Sequence, residues 1–350
     1  MMNQPASTPQ PTSEQIRLHV RTVLRGAQRA VITTHQRPDG DAIGSCMGLH
    51  HVLCEQGTTV TTMLPDPAPS NLQWMLGPGT GSVEVWTGDD RQQQLLAAAD
   101  VIIVLDLNDL SRLGIRESDL GEAIRRRQGD ETCAIVNIDH HIQPEDFASI
   151  QWIDTEAPAV CAMLTDLFQD TSISSETAMA WYVGLMTDTG SFRFPRTTNH
   201  TFAQASWLVA CGADPVLAAE HVLSGGRFER ELLLGIALQS MKRYAGDALC
   251  VMVIRRHHYE DLGVSGQDTD GFVHHTLSIA GVTMGILIVE FEHVTKVSFR
   301  SKGTTYVRDL AASFGGGGHL YAAGARITDH PFDDAVDRVI QAAVEALATA

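Results

Sequence analysis

Positive charge is scarce in this chain. Its 350 residues include 25 lysines and arginines against 42 aspartates and glutamates, which gives a formal net charge of −17. Binding along a long nucleic acid needs clustered Lys and Arg to neutralise phosphates, so this balance argues against a protein that grips long duplexes. Small anionic substrates are compatible with it, since bound divalent cations can supply the local positive charge.

Cysteine motifs and long apolar runs are also missing. The six cysteines are scattered and no two have C-x-x-C spacing, which argues against a zinc cluster and indicates reduced thiols. No stretch reaches the ~18 apolar residues that a membrane span needs. The polar, Pro-rich start lacks the basic and apolar regions of a signal peptide. We therefore expect a cytoplasmic protein with no membrane partner.

The length predicts about two domains. Strand-like and helix-like runs alternate up to about residue 205, a pattern that predicts an α/β fold with a mostly parallel sheet flanked by helices. We expect a disordered tail over 1–13, this α/β domain over 14–213, a helical connector over 214–246, and a smaller α/β domain over 247–350.

Asp and His side chains follow four apolar runs that resemble buried strands, Val31–Thr34, Val101–Leu105, Ala134–Ile138 and Trp181–Met186. The side chains that follow them are His35, Asp39 and Asp41, then Asp106, then Asp139, His140 and His141, and finally Asp188. In an open α/β sheet, ligands bind beyond the carboxyl ends of the strands. Oxygen and imidazole donors collected there predict a divalent-cation site and a metal-dependent hydrolase.

Each segment also has an ordinary structural interpretation. A pair such as His140-His141, taken alone, is usually a surface or core residue pair. Asp39 is suited to cap the helix that follows it, and Asp106 alone is typical of a turn. The run Trp181–Met186 also fits a helix, in which case Asp188 follows a helix end. A run such as Gly315–Gly318 is often a flexible linker, although its backbone N–H groups can also bind an anion. The occurrence of four such segments in one chain favours the metal site.

These motifs resemble the DHH phosphoesterase family, which is named for the triplet at 139–141. The match includes H-x-x-x-D-G-D-A-I-G-S from His35, the strand-terminal Asp106, and T-D-T-G-S-F around Asp188. Near the C-terminus, Phe299–Gly303, Gly315–His319 and Ala322–Gly324 resemble the substrate-binding domain associated with that family. The resemblance therefore covers nearly the whole chain.

The resemblance implies two Mn²⁺ ions per chain, which activate a water for in-line attack on phosphorus. It assigns His35, Asp39 and Asp106 to one ion and Asp41, Asp106, His140 and Asp188 to the other. It also implies that His141 faces the scissile phosphate as a stabiliser or general acid, and that Asp139 orients an imidazole. The substrate-binding residues that it implies are Arg300, Ser301, Gly316, Gly317, Gly318 and His319.

Within the family, the glycine-rich motif and the compact length resemble the branch that degrades RNA of a few nucleotides to mononucleotides. That branch also removes the 3′-phosphate from 3′-phosphoadenosine 5′-phosphate. An alternative is hydrolysis of cyclic di-AMP or of the linear dinucleotides pApA and pGpG, and a more distant one is a nucleotide sensor without catalysis. The expected partners are short RNA and small phosphonucleotides. A homodimer is compatible with the sequence, but no motif supports it.

Overall fold

The structure is a computed structural model that describes residues 12–77, 82–114, 120–224, 227–318 and 320–348. The chain divides into two compact units, Met1–Gly225 and Gly226–Ala350. Each unit contains one six-stranded sheet, so the predicted α/β class is confirmed. The first described helix begins at Ser13 and is capped by Thr12, and residues 1–11 of the predicted tail lie outside the described part.

The first unit alternates strands and helices. Its strands are β1 (Arg29–Thr33), β2 (Thr59–Leu64), β3 (Ser82–Val85), β4 (Val101–Leu105), β5 (Ala134–Asp139) and β6 (Ile150–Ile153). Its helices are α1 (Ser13–Gly26), α2 (Gly40–Glu55), α3 (Asp90–Ala98), α4 (Leu120–Arg125), α5 (Val160–Phe168), α6 (Ser175–Asp188), α7 (Asn199–Ala210) and α8 (Pro215–Leu223). All strand pairs are parallel, in the order β3-β2-β1-β4-β5-β6.

Helices cover both faces of this sheet. Every residue of β4 is buried, and its successive side chains alternate between two apolar clusters: Ile103 belongs to one and Ile102 to the other. A strand that is buried on both sides has no polar face, which explains its continuous apolar sequence. Because these strands run parallel, their carboxyl ends all lie at the same edge of the sheet.

The run Trp181–Met186 lies within α6, so its interpretation as a strand is wrong and the helical alternative is right. The helix is buried on nearly all sides, including Trp181, Val183 and Leu185. A helix surrounded by protein is apolar around its whole circumference and lacks the period of 3.6 that would identify it. Asp188 is consequently the last residue of a helix.

The second unit has a mixed sheet. Its strands are β7 (Lys242–Tyr244), β8 (Leu249–Ile254), β9 (Met284–Glu290), β10 (Thr295–Ser301), β11 (Gly317–Gly318) and β12 (Ala322–Ile327), in the order β11-β12-β10-β9-β8-β7. Its helices are α9 (Phe228–Gln239), α10 (Arg256–Glu260), α11 (Arg308–Ala312) and α12 (Phe332–Ala348). Among the described strands of this second sheet, only β8 and β9 pair in parallel. No helix in the described residues is long and apolar enough to cross a bilayer.

Close packing of α2 on α6 depends on glycines. Gly44 and Gly48 lie one turn apart on the same face of α2. A Cβ atom on Gly44 would lie 2.5 Å from the carbonyl oxygen of Ala180, and one on Gly48 would lie 2.1 Å from Nε1 of Trp181. The resulting approach of the two helices brings the start of α2 beside the end of α6.

Replacing Gly44 with alanine is expected to destabilise the protein by about 1–3 kcal/mol, because the neighbouring atom belongs to the backbone and cannot rotate away. Gly235→Ala in α9 is the matched control, since no atom lies within 4 Å of the position that its Cβ atom would take. That change should be neutral or stabilise by up to about 1 kcal/mol. Urea unfolding of both variants tests the prediction, and equal stabilities would contradict it.

Candidate metal centre

In the first sheet, β2 and β3 follow β1 toward one side, whereas β4, β5 and β6 extend from β1 toward the other side. The strand order therefore has a switch point between β1 and β4. Such a switch point creates a crevice beyond the strand ends, where ligands bind in open α/β sheets. His35 follows β1, Asp106 follows β4, and His140 follows β5, so these side chains converge on that crevice. α2 and α6 add Asp41 and Asp188 from the helix layer that packs on the sheet.

Three overlapping sets of side chains place their ligand atoms within 4.8 Å of one another. They are His35, Asp39 and Asp106; Asp41, His140 and Asp188; and Asp106, His140 and His141. The six side chains assigned to metal from the sequence therefore gather at one place, together with His141. Asp106 and His140 each belong to two sets, which makes them the centre of the arrangement.

Backbone carbonyls fix the orientation of both inner imidazoles. Nδ1 of His35 lies 2.8 Å from the carbonyl oxygen of the next residue, and Nδ1 of His140 lies 3.1 Å from that of Ala157. A carbonyl can only accept, so Nδ1 carries a proton and Nε2 is the nitrogen that faces the carboxylates and can ligate a metal. Nε2 of His35 lies 3.4 Å from Asp106, and Nε2 of His140 lies 3.3 Å from Asp188.

The two aspartates that flank Gly40 have different roles in the fold. Asp39 is the N-cap of α2, and its Oδ1 accepts from the backbone N–H groups of Asp41 and Ala42 at 3.1 Å. The capping interpretation is therefore correct, and it leaves Oδ2 of Asp39 outside those bonds. The Asp41 carboxylate accepts from Val160 at 2.6 Å and from Cys161 at 2.9 Å, which are the first two residues of α5. Both carboxylates are held in place by backbone donors.

Asp106 combines a left-handed backbone with a buried carboxylate that faces two imidazoles. Its φ of 56° lies in the left-handed region, which Asp tolerates better than most residues. The side chain is buried, and no described residue forms a hydrogen bond with its Oδ1. Burial alone would raise the pKa of Asp106, but the imidazoles of His140 and His35 hold it well below its usual range. Such strain concentrates at functional sites.

The centre holds more negative charge than its imidazoles can balance. Burial, and next the charge of Asp106, raise the pKa of Asp41 to about 7. Desolvation raises the pKa of Asp188 well above its usual range. Burial lowers the pKa of His140, but its interaction with Asp106 and the charge of Asp188 outweigh this and raise it to about 10. A divalent cation would remove this imbalance, and carboxylate oxygens with imidazole nitrogens suit Mn²⁺ and similar ions. The residues therefore fit a metal.

Asp139 and His141 form a pair at the end of β5. Nδ1 of His141 lies 2.7 Å from Oδ1 of Asp139, which is fully buried. On the other side of the ring, Nη1 of Arg112 lies 3.2 Å from Nε2 of His141. No sequence pattern indicates Arg112, because its contact depends on how two separate loops fold.

Four of the substrate-binding residues expected in the second unit lie at one end of its sheet. Arg300 and Ser301 end β10, Gly317 and Gly318 form β11, and β12 lies between these strands. Arg300 is level with Ala322 and Gly318 with Ala323, so the two sites are about 10 Å apart across one strand.

The Arg300 guanidinium donates to the carbonyl of Phe299 at 2.9 Å, and burial lowers its pKa. Ser301 is also buried, and no described residue forms a hydrogen bond with its hydroxyl oxygen. His319 lies outside the described residues. The contacts of Arg300 and Ser301 therefore leave polar atoms at the strand end for a ligand.

Close packing against β12 explains why the run contains glycine at two of its positions. A Cβ atom on Gly316 would lie 2.1 Å from the carbonyl oxygen of Gly324, and one on Gly318 would lie 2.5 Å from that of Ala322. The N–H groups of Gly315 and Gly316 donate to the carbonyls of Ala312 and Ala311, so neither is available to an anion as the sequence suggested. Any anion contact of the run must come from its remaining amides.

Comparison with known proteins agrees with this geometry. A model of the N-terminal domain of the DHH family matches residues 29–185, and a model of the DHHA1 domain matches residues 246–349. The chain belongs to the DHH family.

Three relatives illustrate the range of the family. The bifunctional oligoribonuclease and PAP phosphatase NrnA of Thermus thermophilus is 29% identical over 341 residues, which cover 96% of each chain. The cyclic-di-AMP phosphodiesterase GdpP of Geobacillus thermodenitrificans is 26% identical over 92% of this chain, but over only 48% of its own length. The crystal structure of an exopolyphosphatase-related protein from Bacteroides fragilis is 30% identical, with a TM-score of 0.86 over 95% of this chain and 96% of that one.

Proposed function

We propose that this chain is a phosphoester hydrolase that uses two Mn²⁺ ions to degrade very short RNA to mononucleotides. We further propose that it removes the 3′-phosphate from 3′-phosphoadenosine 5′-phosphate. The position of Asp106 carries the two-ion proposal, because this carboxylate faces both His35 and Asp39 on one side and His140 on the other. Similarity to the Thermus oligoribonuclease along nearly the whole chain supports the substrate class.

In this proposal His35, Asp39 and Asp106 hold one ion, and Asp41, Asp106, His140 and Asp188 hold the other. Two such ions supply Lewis-acid activation of water and neutralise charge on the phosphoryl oxygens. Ala157 fixes the tautomer of His140, which keeps Nε2 aimed at the centre. Asp139 holds the ring of His141 through Nδ1. These contacts preorganise the donors, so little reorganisation accompanies binding.

We also propose a division of labour along the chain. Residues 14–213 would be catalytic, residues 247–350 would bind substrate, and 214–246 would be the helical connector. Arg300 and Ser301, with Gly317, Gly318 and His319, would contact phosphate or ribose of the substrate, and Gly316 would shape the turn that presents them. A substrate with two to five phosphates needs only a few such contacts, which is consistent with the net charge of −17.

A panel of substrates tests the proposal. Purified protein with Mn²⁺ is incubated with a 5′-labelled RNA 3-mer, a 24-mer, 3′-phosphoadenosine 5′-phosphate, pApA and cyclic di-AMP. We expect rapid release of mononucleotides from the 3-mer and of phosphate from the phosphonucleotide, with little cleavage of the 24-mer. Efficient cleavage of the 24-mer, or turnover of none of these compounds, would contradict the proposal.

Hydrolysis of cyclic di-AMP is the second candidate. The similarity to the Geobacillus phosphodiesterase favours it, although this chain spans only about half of that protein. Faster turnover of cyclic di-AMP than of the 3-mer would move the function to this candidate. Binding of nucleotides with no turnover would instead indicate the sensor considered from the sequence.

A further inference from the structure

Arg112 lies in a turn that other loops hold firmly. The turn, Leu110–Leu113, follows the loop that carries Asp106. Asp109 caps it by accepting from the N–H of Ser111 at 2.7 Å, and Glu145 accepts from the N–H of Leu110 at 3.0 Å. The carbonyl oxygen of Arg112 also accepts from the N–H of Gln36 at 2.7 Å. The base of the Arg112 side chain is therefore fixed relative to the strand ends.

The contact between Arg112 and His141 has only one arrangement of donor and acceptor. A guanidinium has N–H donors and no acceptor, so Nε2 of His141 must accept the bond across 3.2 Å. Nδ1 then carries the ring proton and donates to Asp139 at 2.7 Å. While this contact is made, Nε2 of His141 has no proton to give. The N–H donors at this position belong to Arg112.

No carboxylate among the described residues pairs with the charge of Arg112. Within the part of the chain that the structure describes, no Asp or Glu forms an ion pair with its guanidinium. Its side-chain partners are the amide oxygen of Asn108 at 3.4 Å and the ring of His141, and both are neutral in this arrangement. The residue is half-buried at the rim of a centre rich in carboxylates, yet it pairs with none of them. A planar guanidinium that pairs with no described carboxylate is well suited to bind a phosphate through its N–H donors.

We propose that Arg112 is a substrate-binding residue of the metal centre, and that its guanidinium binds non-bridging oxygens of the phosphate that is cleaved. Asn108 and His141 hold the guanidinium in position for that contact. This inference rests on the proposed function, since it assumes that a phosphate ester enters this centre. It assigns to Arg112 the phosphate contact that the family resemblance implied for His141.

The test measures binding rather than turnover alone. Wild type, Arg112→Lys and Arg112→Ala are titrated with Mn²⁺ by calorimetry, and the Mn²⁺-loaded proteins are then titrated with inorganic phosphate. We expect Arg112→Ala to weaken phosphate binding by about tenfold or more, with unchanged Mn²⁺ affinity. The phosphate affinity of Arg112→Lys should lie between those of wild type and Arg112→Ala, because lysine keeps the charge but lacks the planar pair of N–H donors. Arg126→Ala, which removes an exposed arginine without a side-chain partner among the described residues, should bind both as wild type does.

Two results would overturn the inference. One is phosphate binding by Arg112→Ala that equals that of wild type. The other is a parallel loss of Mn²⁺ binding in both Arg112 variants, which would indicate a structural role at the metal centre. The lysine variant keeps the test decisive if the alanine variant fails to fold. If none of the compounds in the panel is turned over but Arg112→Ala still weakens phosphate binding, the proposed function is refuted. The contact between Arg112 and phosphate is then still supported.

Discussion

Asp106→Asn is expected to lower kcat/KM for the RNA 3-mer by about 10³-fold or more. We also expect the variant to bind fewer than two Mn²⁺ ions per chain. Asparagine removes the shared negative charge but keeps nearly the same shape, so both ions lose a ligand. The backbone φ of 56° makes asparagine the best replacement, because Asn adopts the left-handed region more readily than most residues. A factor of 10³ corresponds to about 4 kcal/mol, which is within the several kcal/mol that metal ions supply at a phosphoryl group.

Asp337→Asn is the matched control for this change. Asp337 is an exposed residue of α12 in the other unit, so the same loss of charge there should leave activity and metal binding intact. Circular dichroism and thermal melting establish that both variants are folded. Wild-type activity in a folded Asp106→Asn variant would refute the role of the shared carboxylate.

The metal-free protein is expected to lose stability as the pH rises from about 4 to 7. Asp41 has a raised pKa of about 7 in the folded state against an ordinary value of 3.8. Between these values the folded protein holds a proton that the unfolded chain has released, so stability falls with rising pH, on the order of 1 kcal/mol per unit. Asp188 is shifted in the same direction.

The three other shifted groups of the centre do not offset this trend. Burial lowers the pKa of His35, but its hydrogen bond to Asp106 outweighs this, so its pKa is raised and it acts in the same direction as His140. The pKa of His140 is raised to about 10, so its contribution is complete below its ordinary value and is lost only as the pH approaches 10. The pKa of Asp106 is lowered, so its contribution is present above pH 4 and is lost on acidification. Mn²⁺ should reverse the trend, because it binds the deprotonated ligands. A concentration of 100 times Kd should stabilise by about 2.7 kcal/mol for each ion.

Urea unfolding of EDTA-treated protein between about pH 5 and 7, with and without Mn²⁺, measures both effects. The variant Asp41→Asn serves as the control, because it lacks the titrating group and should show a shallower slope with pH. Stability of the metal-free wild type that rises with pH over this range would contradict the prediction. So would the absence of any stabilisation by Mn²⁺ at pH 7.

The sequence predicted the first unit well, because strands buried on both faces leave continuous apolar runs. Val101–Leu105 and Ala134–Ile138 are such runs, and each ends at a side chain of the centre. The same property misled the interpretation of Trp181–Met186, since a helix that is buried all round also lacks a polar face. The short strands β3 and β6 were not predicted. Each has four residues, too few to show a period.

Long-range contacts account for the rest of what the sequence could not provide. β12 begins with Ala322-Ala-Gly324, which has low strand propensity, and it forms a strand because β10 pairs with it along its whole length. Arg112 and His141 are 29 positions apart, and only the folded loops after β4 and β5 bring them together. The motif identified which residues converge on the centre. It could not show which neighbouring cation faces them.

The most direct measurement is the anomalous scattering of crystals grown with Mn²⁺, recorded at the manganese absorption edge. The proposed centre predicts two peaks about 3.5–4 Å apart, one on each side of the Asp106 carboxylate. One peak should lie beside His35 and Asp39, and the other beside Asp41, His140 and Asp188. A single peak, or two peaks that do not share Asp106, would contradict the two-metal centre.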